Sequence, residues 1–369
     1  LILALFGHPR LLDSISSEYL DVIILSYQNS SDFQDLTAQT IFGSIDVSGR
    51  LPLSTVNFPL GSGLILEKSR DLSFVLPLEV GMESDSLNEI DSVVYNAVKD
   101  KVIPGCQIVV ARKGKIFYNK SFGYHTYDSI SKVENHHLYD LASITKIAAT
   151  APTLMYLFDK KKIKLNKRLR SYSSIFKSTD KKNLRIIDIL THQSRLFPWI
   201  PFYKNTLNEK GDLLEEVYSN QYSEIYSLEV AKNLFLQESF KDSVLNQVLE
   251  SKLLDKKEYK YSDLGFYLLH PIIESKISEP ISTFVSDYFY TKIDAFRITY
   301  NPLEKFSLKM IVPTEMDKIW RKQLVQGYVH DQGAALFGGV ALHAGLFSNA
   351  IDLMKLMQLY LDDGIFDGQ

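Results

Sequence analysis

Cysteine is almost absent from this sequence, since Cys106 is the only one among 369 residues. A single thiol excludes an internal disulfide framework and any zinc site built from paired cysteines. Cys106 opens the apolar run 106–110, so we expect a buried thiol on a strand. The eight histidines include no His-x-x-x-His pair with a third ligand nearby. The sequence therefore predicts neither a metal site nor another cofactor.

Neither sign of charge dominates, and long hydrophobic runs are lacking. The 41 basic and 44 acidic residues give a net charge of −3, which offers no reason to expect nucleic acid as a partner. The apolar stretch 1–7 is far shorter than the roughly 20 residues of a transmembrane helix. No Met and no basic segment precede it, unlike a signal peptide. We therefore expect a buried strand, and a chain that begins inside a longer protein.

Residues 1–66 combine short apolar runs with a helical pattern. The runs at 1–6 and 19–27 are typical of strands covered by helices on both faces, and residues 32–42 carry apolar side chains at helical spacing. Four motifs lie here: Phe6-Gly7-His8-Pro9, Ala38-Gln39-x-x-Phe42-Gly43, Gly49-Arg50-Leu51-Pro52 and Gly61-x-Gly63-Leu64. Together they resemble the end of the C-terminal α/β sandwich domain of family 3 glycoside hydrolases. The resemblance implies a sugar-cleaving parent protein, whose upstream catalytic domains would pack against this segment.

Residues 67–84 are interpreted as a linker because Pro and Gly interrupt them. A helix capped by Ser84 or Asp85 follows, and then two strands around the tight turn 112–114. Much of 144–330 is predicted to be helical, including a stretch in which Tyr218, Tyr222 and Tyr226 have helical spacing. An antiparallel sheet with a helical subdomain predicts an α+β fold for residues 85–369.

The strongest chemical signal is Ser143-Ile144-Thr145-Lys146. Residues three apart share one face of a helix, and an ammonium beside a hydroxyl can help to remove its proton. The same spacing recurs in polar stretches, at Ser129/Lys132, Ser174/Lys177 and Ser178/Lys181. Ser143 differs from these because apolar residues precede and follow it. We therefore predict that Ser143 is a nucleophile at the start of a buried helix, which Pro152 interrupts.

A second signal is Tyr261-Ser262-Asp263, which opens an apolar helical stretch. A similar Tyr-Ser-Asn at 218–220 lies in a polar run and is rejected for that reason. Further motifs accompany the two signals: Pro104-Gly105-x-Gln107, Leu138-Tyr139-Asp140-Leu141-Ala142, Leu190-Thr191-His192-Gln193-Ser194, Pro313-Thr314-Glu315, Val329-His330-Asp331 and His343-Ala344-Gly345-Leu346-Phe347-Ser348. In combination they resemble class C β-lactamases and penicillin-binding proteins.

The resemblance implies a β-lactamase/transpeptidase-like fold and assigns roles to several residues. Ser143 would be the nucleophile, and Lys146 and Tyr261 would move its proton. Asp263, His330, Asp331 and His343 would line or support the substrate pocket. The histidines are more simply explained as structural, and a role as helix cap is an equally good explanation of Asp263.

Three departures from the family pattern bear on activity. Asp263 stands where Asn is usual, and Arg195 and Leu342 each replace a usual Gly. The family's third element, Lys-Thr-Gly or His-Thr-Gly, does not occur, and we expect it beyond Gln369. The chain is thus predicted to be truncated at both ends, and by itself inactive or nearly so.

The expected activity is acyl-enzyme hydrolysis of a small-molecule ester, a β-lactam or a D-amino-acid peptide related to peptidoglycan. The resemblance to bacterial fusion proteins implies a parent that is also a β-glycosidase of the N-acetylglucosaminidase kind, in the periplasm or cell envelope. The alternative is a catalytically degenerate accessory module of a glycoside hydrolase.

Overall fold

The computed structural model describes residues 1–16, 19–66 and 73–365. Its strands and helices follow in chain order: β1 (Ile2–Phe6), β2 (Val22–Ser26), α1 (Ser31–Ile41), β3 (Ser73–Phe74), α2 (Ser84–Lys99), β4 (Gly105–Arg112), β5 (Lys115–Gly123), β6 (Tyr139–Asp140), α3 (Ala151–Asp159), α4 (Ile186–Leu190), β7 (Tyr218–Ser219), β8 (Leu228–Ala231), β9 (Leu234–Leu236), α5 (Phe240–Glu250), α6 (Leu264–Ile277), α7 (Ile281–Val285), β10 (Glu315–Met316), β11 (Leu324–Val325), α8 (Gln332–Leu336), β12 (Phe347–Ser348) and α9 (Ala350–Leu361). Within these described ranges, every helix is too short or too polar to cross a lipid bilayer.

Two compact units make up the described chain. The first takes its residues from Leu1–Val94, Ile108–Lys120 and Gln358–Gln369, and the second from Tyr95–Gln107 and Ser121–Met357. All the candidate site residues belong to the second unit. The predicted domain boundaries at residues 66 and 84 stay predictions, and residues 67–72 of the predicted linker lie outside the described residues.

In the first unit, strands β1 and β2 pair in parallel, in register from Ile2↔Val22 to Phe6↔Ser26. Helix α1 follows β2, and its buried Thr37 makes a hydrogen bond to Ser26 of that strand. The strands predicted at 1–6 and 19–27 and the helix predicted at 32–42 are confirmed. The expected burial of the first strand is wrong, since Ile2 is 48% exposed and the other residues of β1 are only half-buried. Parallel pairing requires the long connection that the chain supplies between the strands.

Strands β4 and β5 form the predicted hairpin. Its two turn residues, Lys113 and Gly114, have φ of 56° and 70°, the positive values that a type I′ turn needs to match the twist of the strands. Strand β3 joins β5 in parallel, with Ser73 opposite Lys115. The sheet is thus mixed rather than wholly antiparallel, because helix α2 supplies a crossover between β3 and the hairpin.

The prediction of a largely helical stretch at 144–330 is wrong in part. Tyr218 lies on β7, in a small sheet ordered β7-β9-β8. Its ring is buried, and its hydroxyl contacts Thr206 at 2.9 Å and the Trp320 indole N–H at 2.9 Å. Although the tyrosines have helical spacing, this segment forms a strand, because tertiary packing buries the ring of Tyr218 and gives its hydroxyl hydrogen-bond partners.

Helix α6 positions the second predicted motif. Most of its residues are buried, including the whole first turn. A Cβ on Gly265 would lie 2.4 Å from Ile189 Cγ2 of helix α4. The absence of a side chain at Gly265 therefore lets α6 and α4 approach closely, and this contact fixes where the preceding residues, 261–263, lie.

Candidate active site

Ser143 lies in a 3-10 turn, Ala142–Ile144, directly after strand β6. Ala142 has a φ of 44°, which is rare for a residue other than Gly. Its N–H donates to Asp140 Oδ1 at 2.7 Å, so the side chain of Asp140 holds this strained turn. Strained backbone of this kind persists where the surrounding structure fixes it, often at functional sites.

The helix predicted after Ser143 is not continuous. Lys146–Thr150 form a π turn, and helix α3 begins only at Ala151. Pro152 has no N–H to donate to the carbonyl of Ala148, four residues earlier. The hydroxyl of Tyr290 donates to that carbonyl instead, at 2.9 Å. The proline and the tyrosine thus explain the irregular turn that carries Lys146.

Ser143, Lys146 and Tyr261 form a triangle of contacts. Lys146 Nζ lies 2.9 Å from Ser143 Oγ and 2.7 Å from the Tyr261 hydroxyl, which is itself 2.9 Å from Ser143 Oγ. Lys146 is buried, whereas Tyr261 is 42% exposed. The structure therefore brings together the three residues that the two motifs singled out, with the hydroxyls toward solvent and the amine behind them.

Asp263 adds its carboxylate to Ser143, Lys146 and Tyr261, and these four residues form the nucleophile cluster. Its Oδ1 lies 2.7 Å from Lys146 Nζ. Although Asp263 precedes helix α6, its side chain accepts no capping hydrogen bond within the described chain, and Ser262 Oγ accepts from Leu264 N–H instead. Asp263 thus occupies the N-cap position of helix α6, but the capping hydrogen bond is made by the side chain of Ser262.

Two aromatic rings flank Lys146. Its Nζ lies 4.8 Å from the ring centre of Tyr261 and 5.2 Å from that of Phe266. The backbone carbonyl of His343 lies 3.4 Å away. Aromatic faces and carbonyl oxygens both favour a cation, so the surroundings of Lys146 are suited to an ammonium group. Phe266 gave no signal in the sequence beyond its place in an apolar helix.

His192 packs against Tyr261, with ring centres 4.3 Å apart. Its Nδ1 accepts a hydrogen bond from Ser262 N–H at 3.1 Å. Burial, and then the charge of Lys146, lower the pKa of His192. A neutral imidazole thus supports the ring of Tyr261.

Asp331 and His343 form a pair beside the cluster. Asp331 Oδ1 lies 3.1 Å from His343 Nε2, and the Tyr267 hydroxyl is 3.3 Å from the same nitrogen. Burial alone would raise the pKa of Asp331, but hydrogen bonds from His343 and from Ala334 N–H lower it to about 2. This pair fixes His343, whose carbonyl contacts Lys146.

His330 lies apart from the nucleophile cluster. Its imidazole is half exposed and pairs with Glu315 at 3.2 Å. Its backbone N–H donates to Asp140 Oδ2 at 2.6 Å, so His330 supports the turn before Ser143 through its main chain. Burial raises the pKa of Asp140. The hydrogen bonds that its carboxylate accepts from the backbone N–H groups of His330 and Ala142 lower that pKa, but the effect of burial is larger.

A cavity of about 50 Å³ lies beside Asp263. Its walls include Trp199, Tyr203, Asp331 and His343. The sequence did not single out Trp199, because a lone aromatic residue in a loop has no periodic signal. Among the described residues, no group of three or more His, Cys, Asp or Glu side chains is placed to hold a metal ion.

The beta-lactamase family model matches residues 90–369 of this sequence. The chain belongs to the beta-lactamase family. A curated Salmonella gallinarum protein, provisionally named a D-alanyl-D-alanine carboxypeptidase, is 30% identical over 318 residues, covering 79% of this chain and 68% of that protein. This relationship makes the chain a hydrolase of the serine beta-lactamase family.

Solved structures of the family share the fold. The octameric penicillin-binding protein homologue from Pyrococcus abyssi has a TM-score of 0.55 at 17% identity, covering 76% of this chain and 57% of that one. A class C beta lactamase from Rhodobacter sphaeroides has a TM-score of 0.51 at 14% identity, covering 75% of this chain and 66% of that one. The predicted β-lactamase/transpeptidase fold is thereby confirmed. The chain spans little more than half of the archaeal protein.

Two departures from the family pattern fit into this hydrolase without disturbing the cluster. Arg195 has a φ of 64°, a left-handed value that Gly adopts more readily than other residues, and its Nε donates to Leu254 O at 2.5 Å. Leu342 is buried, and its carbonyl accepts from Thr150 Oγ1 at 2.6 Å. Neither side chain makes a hydrogen bond to the cluster within the described residues.

Proposed function

We propose that the full-length protein to which this chain belongs carries out acyl transfer with Ser143 as the nucleophile. The observation that carries this proposal is the triangle of Ser143 Oγ, Lys146 Nζ and the Tyr261 hydroxyl, with all three distances below 3 Å. A nucleophile and its proton acceptors must lie within hydrogen-bond reach of one another. The contacts of Asp263 and His343 with Lys146 support the same assignment.

The proposed reaction has two steps. Ser143 Oγ attacks a carbonyl carbon, its proton passes to the pair formed by Lys146 and Tyr261, and the bond to the leaving group breaks as that group takes up the proton. Water then attacks the acyl carbon and gives one proton to the pair formed by Lys146 and Tyr261. The bond between the acyl carbon and Ser143 Oγ breaks as that proton passes to Oγ, and the acid is released. The backbone N–H of Ser143 is one proposed donor to the oxyanion.

The substrate class is proposed from the relatives. A protein provisionally named a D-alanyl-D-alanine carboxypeptidase is 30% identical, which favours D-amino-acid peptides of the peptidoglycan type, with esters and β-lactams as alternatives. Such substrates would place the protein in the periplasm or at the cell envelope.

Residues 1–66 carry a separate proposal about the whole protein. We infer that they end a family 3 glycoside hydrolase domain, so that the parent protein also cleaves a β-linked sugar such as N-acetylglucosamine. The parallel pair β1 and β2 followed by helix α1 supports an α/β domain there. Release of the chromophore from a chromogenic N-acetylglucosaminide by the full-length protein would support this proposal. Failure to release the chromophore from any chromogenic glycoside would contradict it.

Labelling of the full-length protein with a fluorescent fluorophosphonate tests the nucleophile. We expect rapid labelling of the wild-type protein and none of Ser143→Ala. Ser129→Ala, which alters another Ser-x-x-Lys pair, serves as the control and should label fully. Label that survives in Ser143→Ala would contradict the proposal, and a wild-type protein without label would favour the degenerate accessory module.

A further inference from the structure

Positive charge is concentrated in one part of the second unit, residues 160–185, which we call the basic segment. It holds 11 of the 41 basic residues of the chain and only one of the 44 acidic residues, Asp180. Its formal net charge is therefore +10, and the remainder of the chain carries −13. Clustered charge of one sign is typical of segments that interact with a partner of opposite charge.

The basic segment folds around its own apolar side chains. Three short 3-10 turns form it, Leu169–Ser171, Ser174–Phe176 and Asp180–Asn183. A backbone hydrogen bond from Leu169 N–H to Leu184 O, at 2.9 Å, joins its two halves. Four of its apolar side chains are buried: Ile163, Leu169, Phe176 and Leu184. With the apolar side chains inside, the basic ones form the outer surface.

Most of the basic side chains in this segment have no partner of opposite charge. Lys181 and Arg185 pair with neighbouring aspartates, and Lys160 lies 3.6 Å from Asp159. The other eight are exposed and form no ion pair with a described acidic residue: Lys161, Lys162, Lys164, Lys167, Arg168, Arg170, Lys177 and Lys182. Their charge is therefore available to attract an anionic partner.

Exposed apolar side chains accompany these charges. Met155 and Phe158, one turn apart on helix α3, are 56% and 55% exposed, and Ile175 within the basic segment is 39% exposed. Lys161 N–H donates to Phe158 O at 2.9 Å, so the lysines follow directly after this ring. An anionic lipid bilayer suits both features, because phosphate groups attract the lysines and the interface below them receives apolar side chains. Phosphates alone would leave the apolar side chains unused.

Helix α3 separates the basic segment from the nucleophile cluster. The helix begins at Ala151, after the π turn that contains Lys146, and ends at Asp159, where the basic segment begins. A helix of nine residues is about 13 Å long. A bilayer that contacts the far end of α3 would therefore leave the nucleophile cluster accessible to substrate.

We propose that the basic segment, together with Met155 and Phe158, is a docking surface for an anionic lipid bilayer. The lysines meet the lipid phosphate groups, and the two apolar side chains enter the interface. The attraction between exposed charges weakens as the salt concentration rises. This binding goes beyond the proposed acyl transfer and uses no residue of the nucleophile cluster.

Co-sedimentation of the full-length protein with lipid vesicles tests this proposal. We expect binding to vesicles of equal parts phosphatidylglycerol and phosphatidylcholine, weaker at higher salt, and no binding to pure phosphatidylcholine. The triple variant Lys161→Gln, Lys164→Gln, Lys177→Gln should lower the vesicle partition coefficient about 100-fold, roughly fivefold for each charge removed. Phe158→Ser should lower it about tenfold, because the exposed ring no longer enters the interface.

The matched control removes three exposed charges outside the basic segment, in the variant Lys210→Gln, Lys305→Gln, Lys309→Gln. It should bind vesicles as the wild type does, and near-UV circular dichroism checks that all variants are folded. Equal binding by the Lys161 triple variant and the wild type, or equal binding to the two kinds of vesicle, would overturn the proposal. Duplex DNA at the same phosphate concentration and salt distinguishes lipid from another polyanion. Binding to DNA as tight as to vesicles, and unchanged by Phe158→Ser, would also overturn it.

Discussion

At the residue scale, the phenol of Tyr261 connects the functional groups of the cluster. Its hydroxyl contacts both Ser143 Oγ and Lys146 Nζ, and its ring packs on His192. It comes from the segment before helix α6, far along the chain from the turn that carries Ser143. Removing the hydroxyl while keeping the ring would therefore separate proton transfer from packing.

We predict that Tyr261→Phe lowers the rate of fluorophosphonate labelling by about 10²- to 10⁴-fold, the usual contribution of a positioned acid or base. The folded structure should persist, because the ring still packs against His192. Tyr259→Phe is the control, since Tyr259 is an exposed neighbour, and it should label at the wild-type rate. Labelling of Tyr261→Phe within a factor of about three of wild type would remove Tyr261 from the mechanism.

Ser143, Lys146 and Tyr261 could be predicted from the sequence because their residue types occur in short, recognisable motifs with apolar surroundings. The contact between Asp263 and Lys146 could not, since it joins residues 117 positions apart and depends on Ser262 taking the capping role. The Asp331–His343 pair shows the same limit: both residues were named, but only the fold shows that they contact each other.

At the scale of elements, the segment between strands β5 and β6 contains a buried histidine pair. His125 Nε2 lies 2.9 Å from His137 Nδ1, which also accepts from Glu134 N–H at 3.1 Å. Burial lowers the pKa of both histidines, and their mutual charge lowers that of His137 further. Protonation of His137 Nδ1 would remove the acceptor that holds this segment together.

We predict that stability falls as the pH drops below about 6.5, the ordinary pKa of an unfolded histidine. A lowered folded pKa means that the unfolded chain binds more protons in this range, and the loss is about 1.4 kcal/mol per pH unit for each extra proton. The measurement is urea unfolding from pH 7.5 to 5. His125→Gln should flatten this dependence, and an unchanged slope in that variant would contradict the explanation.

The elements themselves were predictable where local chemistry determines them. The turn at Lys113 and Gly114 and the apolar runs of β1 and β2 lie where the sequence placed them. The π turn at Lys146–Thr150 could not be predicted, because it depends on Tyr290 donating to a carbonyl that Pro152 leaves without its helical partner. Long-range hydrogen bonds of this kind have no local pattern in sequence.

At the scale of the whole molecule, the second unit brings together segments that are distant in the chain. The turn after β6, the start of α6 and the loops that carry Asp331 and His343 meet around Lys146. The beta-lactamase family match over residues 90–369 includes all of them. In the proposed function, this assembly makes Ser143 a nucleophile.

Peptide mapping by mass spectrometry, after reaction of the full-length protein with a fluorophosphonate or a penicillin, identifies the residue that acts as the nucleophile. We predict one covalent adduct, on the peptide that contains Ser143, with the expected added mass. We also predict that Lys146→Ala forms this adduct far more slowly, because the amine beside the hydroxyl is lost. An adduct on any other residue, or none in the wild-type protein, would contradict the assignment of Ser143 as the nucleophile.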